Sequence, residues 1–106
     1  MPYLMISYDF LCFLSNKILS KNRLTFQGGF VGQEFTCLAG QSSDISTLYE
    51  VGTFEALDNN DEQKFIFVER EAISNIRYLR MQFTASSDFY GRITIYKLEV
   101  YGDLTT

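Results

Sequence analysis

The chain has 106 residues, 46% hydrophobic and 16% aromatic, with a formal net charge of −4 and neither histidine nor tryptophan. That is one domain with enough apolar matter for a core, which argues against disorder over most of its length, and the missing imidazole removes the usual general base, metal ligand and near-neutral switch. An acidic balance with Lys and Arg scattered as single residues gives no stripe to neutralise phosphates, so direct nucleic-acid binding and binding to an anionic membrane are both disfavoured.

The first run, Tyr3 to Leu14, is apolar but keeps neither a helical nor a strand period. It lacks a positively charged start, contains Asp9, is followed by no small-residue cleavage site and is too short to span a bilayer, so neither export nor insertion is expected. Composition shifts around residues 15–21. The domain map is therefore an atypical apolar segment over 1–16, a partial β-sandwich domain over 17–103 and a tail over 104–106. Cys12 lies in the apolar segment and Cys37 in a loop, without the dense pairing of small secreted scaffolds, and a reducing, intracellular compartment is expected.

From residue 21 the pattern turns β-like. Residues 21–27 read as a strand with Leu24 and Phe26 flanking Thr25, ended by Gly28-Gly29. A long Gly-, Gln- and Ser-rich loop is expected over 30–46. Residues 47–57 alternate, with Leu48, Glu50, Gly52 and Phe54 on one face and Tyr49, Val51, Thr53 and Glu55 on the other. Asp58-Asn59-Asn60-Asp61 is a strong turn signal. A short strand over 63–68 looks covered on both faces, with Phe65 and Phe67 opposite Ile66 and Val68. One helical turn is expected within 69–76. Residues 77–84 alternate cleanly, Leu79, Met81 and Phe83 against Tyr78, Arg80, Gln82 and Thr84. The last strand sets Tyr96, Leu98 and Val100 against Ile95, Lys97, Glu99 and Tyr101. Five strands with turn signals and no strong helix predict an all-β sandwich or barrel.

The blocks Phe26-Gln27-Gly28-Gly29-Phe30, Cys37-Leu38-Ala39-Gly40, Asp58-Asn59-Asn60 and Asp88-Phe89-Tyr90-Gly91-Arg92 occur in this order, followed by the closing strand Ile95 to Gly102. From Leu19 to Asp103 this arrangement resembles the discoidin-type, galactose-binding-like superfamily (coagulation-factor type C), and within it small nuclear receptor-associated members. The resemblance implies a jelly-roll β-sandwich. It further implies a non-enzymatic adaptor, nuclear or cytoplasmic, that binds a protein partner such as a nuclear receptor and represses receptor-driven transcription. Carbohydrate or small-ligand binding, common in the wider superfamily, is the alternative. Family members carry early strands and a Trp-containing segment before the first block. Here Met1 to Asn16 stand in their place, so the expected fold lacks its early strands, as a truncated form or a short isoform. Such a fold leaves a sheet edge unpaired unless the N-terminal segment fills it.

Candidate site residues come with plain structural readings beside them. Gly28-Gly29 is a tight strand exit, or a backbone approach to a ligand. Asp88, Gly91 and Arg92 build the turn before the last strand, with Asp88 bonding turn amides and Gly91 at positive φ, or Arg92 meets a carboxylate or sugar hydroxyl. Asp44 and the 58–61 cluster read as solvated turns, since neither offers a full cation ligand set. Cys37 reads as a buried structural thiol. Phe30, Phe35 and Tyr90 fall in expected loops, where aromatics are enriched at recognition sites. Phe30 and Phe35 are accordingly expected to be removable without loss of folding. The candidate binding set is Phe30, Gln33, Phe35, Asp88, Tyr90 and Arg92, with no catalytic residue, metal or cofactor expected.

Overall fold

The computed structural model describes residues 8–67 and 75–104. Among them are six strands: β1 (Tyr8–Phe26), β2 (Gly32–Gly40), β3 (Tyr49–Glu55), β4 (Glu62–Ile66), β5 (Ile76–Ser86) and β6 (Ile95–Leu104), with one 3-10 turn at Ile45–Thr47. All pairings are antiparallel, in the order β3-β2-β5-β1-β4, with β6 also on β1. The all-β class is as the sequence predicts.

The 19-residue β1 organises the molecule. Its first part, from Tyr8 to Phe13, pairs with β5, while its last part lies between β4 (Lys21 to Thr25) and β6 (Lys17 to Phe26). Lys17 pairs with both Ile76 of β5 and Leu104 of β6, and Thr25 with both Glu62 of β4 and Lys97 of β6. One strand edge takes one partner at a time, so β5 and β4 share an edge in succession and β6 holds the other. A strand that changes sheets must bend, and bulges provide the bend. One falls between Phe13 and Lys17 against β5, another between Leu19 and Lys21 against β6. The strand thus runs through position 16, where the composition changes.

The bulged Ser20 stays satisfied. Its hydroxyl donates to the Tyr101 carbonyl at 3.1 Å and its own carbonyl accepts the Phe67 amide at 3.0 Å. Opposite it, Gly102 is fixed by space, because a Cβ there would lie 2.5 Å from the Ile18 carbonyl oxygen, a backbone atom with no freedom to yield.

The two sheet regions meet through aromatic rings. Phe35 of β2 is fully buried, its ring centroid 4.9 Å from Phe83 of β5, 5.0 Å from Phe65 of β4 and 5.5 Å from Phe54 of β3. Phe26 of β1 meets Phe83 edge-on at 6.1 Å. Leu19, Leu24, Val31, Ile76, Leu79 and Met81 complete the packing.

Several expectations are corrected. The loop expected over 30–46 contains β2, a central strand with Phe35, Cys37 and Ala39 inward. Phe35 is therefore a core residue, and its truncation cannot leave folding untouched. Val51 and Phe54 both face the core although they lie on opposite sides by alternation, because Val51 is the extra residue of a bulge opposite Cys37 and Leu38. Tyr96 is likewise extra in β6, which brings Ile95 onto the same packed face as Leu98 and Val100 and leaves Tyr96 exposed. Ile66 is exposed, so β4 is covered on one face only. The alternation of Leu79, Met81 and Phe83 holds as read. Val68 and most of the helical turn expected within 69–76 lie outside the described residues, and Ile76 opens β5.

Phe35→Ala is expected to destabilise the fold by about 3–5 kcal/mol, the range for removing a large aromatic from a packed core. Gly102→Ala is expected to lose about 1–3 kcal/mol through forced backbone movement. Urea midpoints at unchanged m-value measure both, and a midpoint unmoved in either variant would contradict the packing described.

Candidate functional site

Three turns converge at one end of the sandwich. The β1–β2 turn is pinned by the β3–β4 turn: Gly28 N–H donates to Asn60 Oδ1 at 2.6 Å and Gly29 N–H to Asp58 Oδ1 at 2.8 Å. It is also pinned by the β5–β6 loop, with Gln27 N–H on the Thr94 carbonyl at 3.0 Å, Thr94 N–H on the Phe30 carbonyl at 2.9 Å and Val31 N–H on Ser87 Oγ at 2.8 Å. Asp58 and Asn60 thus direct oxygens at amides, as Asn and Asp in turns commonly do. Among the described residues no group of three acids or thiols is placed to hold a metal.

The β5–β6 loop is built around Asp88. Its carboxylate accepts the Tyr90 amide at 3.1 Å and the Arg92 amide at 3.0 Å, and the Arg92 guanidinium grips it with Nε at 2.9 Å and Nη2 at 3.1 Å. Gly91, at φ 78°, turns the chain so that its N–H reaches the Asp88 carbonyl at 3.0 Å. The Arg92 fork holds the Asp88 carboxyl at about 2, well below the ordinary aspartate value of 3.8, and the two amides push in the same direction.

On this turn stand the exposed aromatics. Phe89 is 70% and Tyr90 63% exposed, and their rings meet edge-on at 5.1 Å. The Arg92 guanidinium carbon lies 5.0 Å from the Phe30 ring centroid and 5.5 Å from that of Tyr90, so it bridges the two loops while Asp88 balances its charge. The result is a rigid, apolar, electrically balanced tip.

Of the candidate residues, the structure brings together Phe30, Asp88, Tyr90 and Arg92. Gln33 sits at the start of β2, the extra residue of a bulge against Ser86 and Ala85, with its carbonyl on the Ala56 amide at 2.8 Å. Phe35 is in the core. Phe89, exposed beside Tyr90, is absent from the candidate set, though its signal is in the sequence: two adjacent aromatics in a four-residue turn cannot both point inward. Burial works against thiolate formation at both cysteines, pushing Cys37 up to about 12 and raising Cys12 as well. Among the described residues no helix is long and apolar enough to cross a membrane.

Known proteins resemble the chain at two levels. No protein-family model matches it. Over 90 residues it is 41% identical to the nuclear receptor 2C2-associated protein of Xenopus laevis and 39% identical to that of Xenopus tropicalis, covering 85% of this chain and 62% of each relative. The human protein of that name is 34% identical over 85 residues, covering 80% of this chain and 57% of the relative. The chain therefore spans less than two thirds of the length of the curated relatives it matches. The resemblance to small nuclear receptor-associated proteins read from the sequence blocks is borne out. Among solved structures, chitosan-binding module 1 of a chitosanase/glucanase from Paenibacillus sp. IK-5 superposes with a TM-score of 0.69 at 19% identity, covering 92% of this chain and 70% of that one. That likeness shows a shared fold, a β-sandwich.

Because Asp88 titrates lower in the folded chain than unfolded, its contribution to stability is complete above the ordinary aspartate range and fades as pH falls towards 2. Asp88→Asn is therefore expected to melt below the parent at neutral pH, with the gap closing between about pH 4 and pH 2. Thermal melts of both chains across that window test it, and a gap that stays constant with pH would show that the carboxylate's charge plays no part.

Proposed function

We propose that this chain, a relative of the nuclear receptor 2C2-associated proteins, is a non-enzymatic protein-interaction module that grips its partner with the loop end carrying Phe89 and Tyr90. The carrying observation is the pair of exposed aromatics on a turn that Asp88 and Arg92 lock from within. Aromatics held rigidly at a surface lose little conformational freedom on binding and bury much area, which is why they recur as anchors at interfaces. The relatives' names support a nuclear receptor as the partner; an intracellular, nuclear setting and lowered receptor-driven transcription are further parts of this proposal. Among the described residues no catalytic constellation accompanies the tip: the Asp88 carboxylate is taken by Arg92, Asp58 accepts the Gly29 amide, and burial raises both thiols.

Carbohydrate binding is the second reading, favoured by the shared fold with a chitosan-binding module and by aromatic rings beside an arginine. Against it, a cationic sugar stacked on these rings wants carboxylate oxygens to spare beside them, and those of Asp88, the acid on the aromatic turn, already take Arg92 and two amides.

Capture on immobilised nuclear receptor 2C2 is expected to fall at least about tenfold in the Phe89→Ala, Tyr90→Ala double variant, with its melting temperature unchanged. Equal capture by both chains would move the interface elsewhere. Saturable chemical-shift changes with chitosan oligosaccharide, without receptor capture, would favour the second reading.

A further inference from the structure

The outer face of the three-strand unit β4-β1-β6 belongs to neither the core nor the loop end. Register stacks its outward side chains in three rows. Ile66, Lys21 and Tyr101 form the first, Lys64, Arg23 and Glu99 the second, Glu62, Thr25 and Lys97 the third. Asp103, two residues beyond Tyr101 and paired with Ile18, continues the same face. Four of the chain's nine Lys and Arg stand here with three of its thirteen Asp and Glu, leaving five cations against ten acids elsewhere in the sequence. A chain of net charge −4 therefore carries one face with a surplus of one positive charge.

Two of the acids on this face are already engaged. Glu62 sits 3.7 Å from Arg23 and 3.9 Å from Lys97, and Glu99 3.4 Å from Lys97. The Tyr101 hydroxyl, followed by Lys97, holds the Glu99 carboxyl below its usual range. Among the described residues, that leaves Lys21 and Lys64 without an acid beside them. Lys21 Nζ and the Arg23 guanidinium carbon each lie 5.1 Å from the Tyr101 ring centroid, which holds the two charges against an aromatic surface. Lys64 is exposed. Apolar surface adjoins the charges: Ile66 is 61% exposed at one end of the first row.

We infer that this face is a second docking surface, taking an acidic peptide segment that also carries apolar side chains. Complementary charge steers such a segment to the face, the ammonium groups of Lys21 and Lys64 meet its carboxylates, and Ile66 and Tyr101 receive its apolar side chains. Charge on the rest of the molecule disfavours the same peptide, so the acidic balance sharpens the choice of surface. The inference rests on strand register and does not depend on the proposed role of the loop end.

The probe is a fluorescein-labelled 12-residue peptide of repeated Glu-Glu-Leu, followed by anisotropy. The intact chain is expected to bind it saturably, more weakly as salt rises. Lys21→Glu with Lys64→Glu is expected to weaken binding by roughly tenfold or more, and the milder Lys64→Gln to weaken it by less, each with an unchanged melting temperature. Phe89→Ala with Tyr90→Ala is expected to bind the peptide like the parent, which separates this surface from the loop end. Absence of binding, equal binding by Lys64→Gln and the parent, or tighter capture of a 12-residue oligothymidylate than of the peptide would each overturn the proposal.

Discussion

The fold depends on one strand serving two sheet regions without breaking. β1 gives one edge first to β5 and then to β4, and gives the other to β6. Extended backbone cannot make that passage flat, because its hydrogen-bonding groups would leave register with one neighbour or the other. Inserted residues solve the geometry, and the Ser20 bulge shows on what terms. Its carbonyl and hydroxyl find partners at Phe67 and Tyr101, so the bend leaves neither without a bond, while Gly102 gives the bulged backbone room. Once β1 is bent, β4 faces β2 across the core, and Phe65 can reach Phe35. The aromatic packing follows from the bend.

What the sequence disclosed follows from how local each signal is. The Asp88-to-Arg92 turn was legible because every bond that builds it lies within seven residues, from Ser86 to Arg92. The alternation in β5 was legible because that strand keeps an unbroken inward face from Leu79 to Phe83. β2 was hidden, although Phe35, Cys37 and Ala39 alternate, because Gly and Gln around them carry turn signals that only flanking strands can override. Bulges at Val51 and Tyr96 were invisible for a different reason: an extra residue is defined by the strand opposite it, and a single sequence does not say which strand that is. The same limit concealed the basic face, whose cations come from positions 21, 23, 64 and 97 and look scattered until register aligns them.

Loop end and sheet face differ in the physics they offer a partner. At the loop end Arg92 is balanced by Asp88 and flanked by Phe30 and Tyr90, so its charge holds the turn together. The recognition proposed there draws on aromatic area, with weak dependence on salt. On the sheet face Glu62 and Glu99 are consumed by Arg23 and Lys97 while Lys21 and Lys64 are left over, so the recognition inferred there draws on charge and fades with ionic strength. Both surfaces stand on strands and hydrogen-bonded turns, which hold side chains to tighter positions than long loops do.

These surfaces also adjoin. The third row of the sheet face begins at Glu62, next to the turn whose Asp58 and Asn60 hold Gly29 and Gly28, and ends at Lys97, three residues after the Thr94 that bonds Gln27 and Phe30. From Lys97 to Tyr101 is four strand residues, roughly 13 Å, so the whole charged face lies within a short extended peptide's reach of the aromatic tip. A partner touching both gains from high local concentration at the second contact rather than from any new bond. Its two contributions remain separable, because salt acts on one and aromatic truncation on the other.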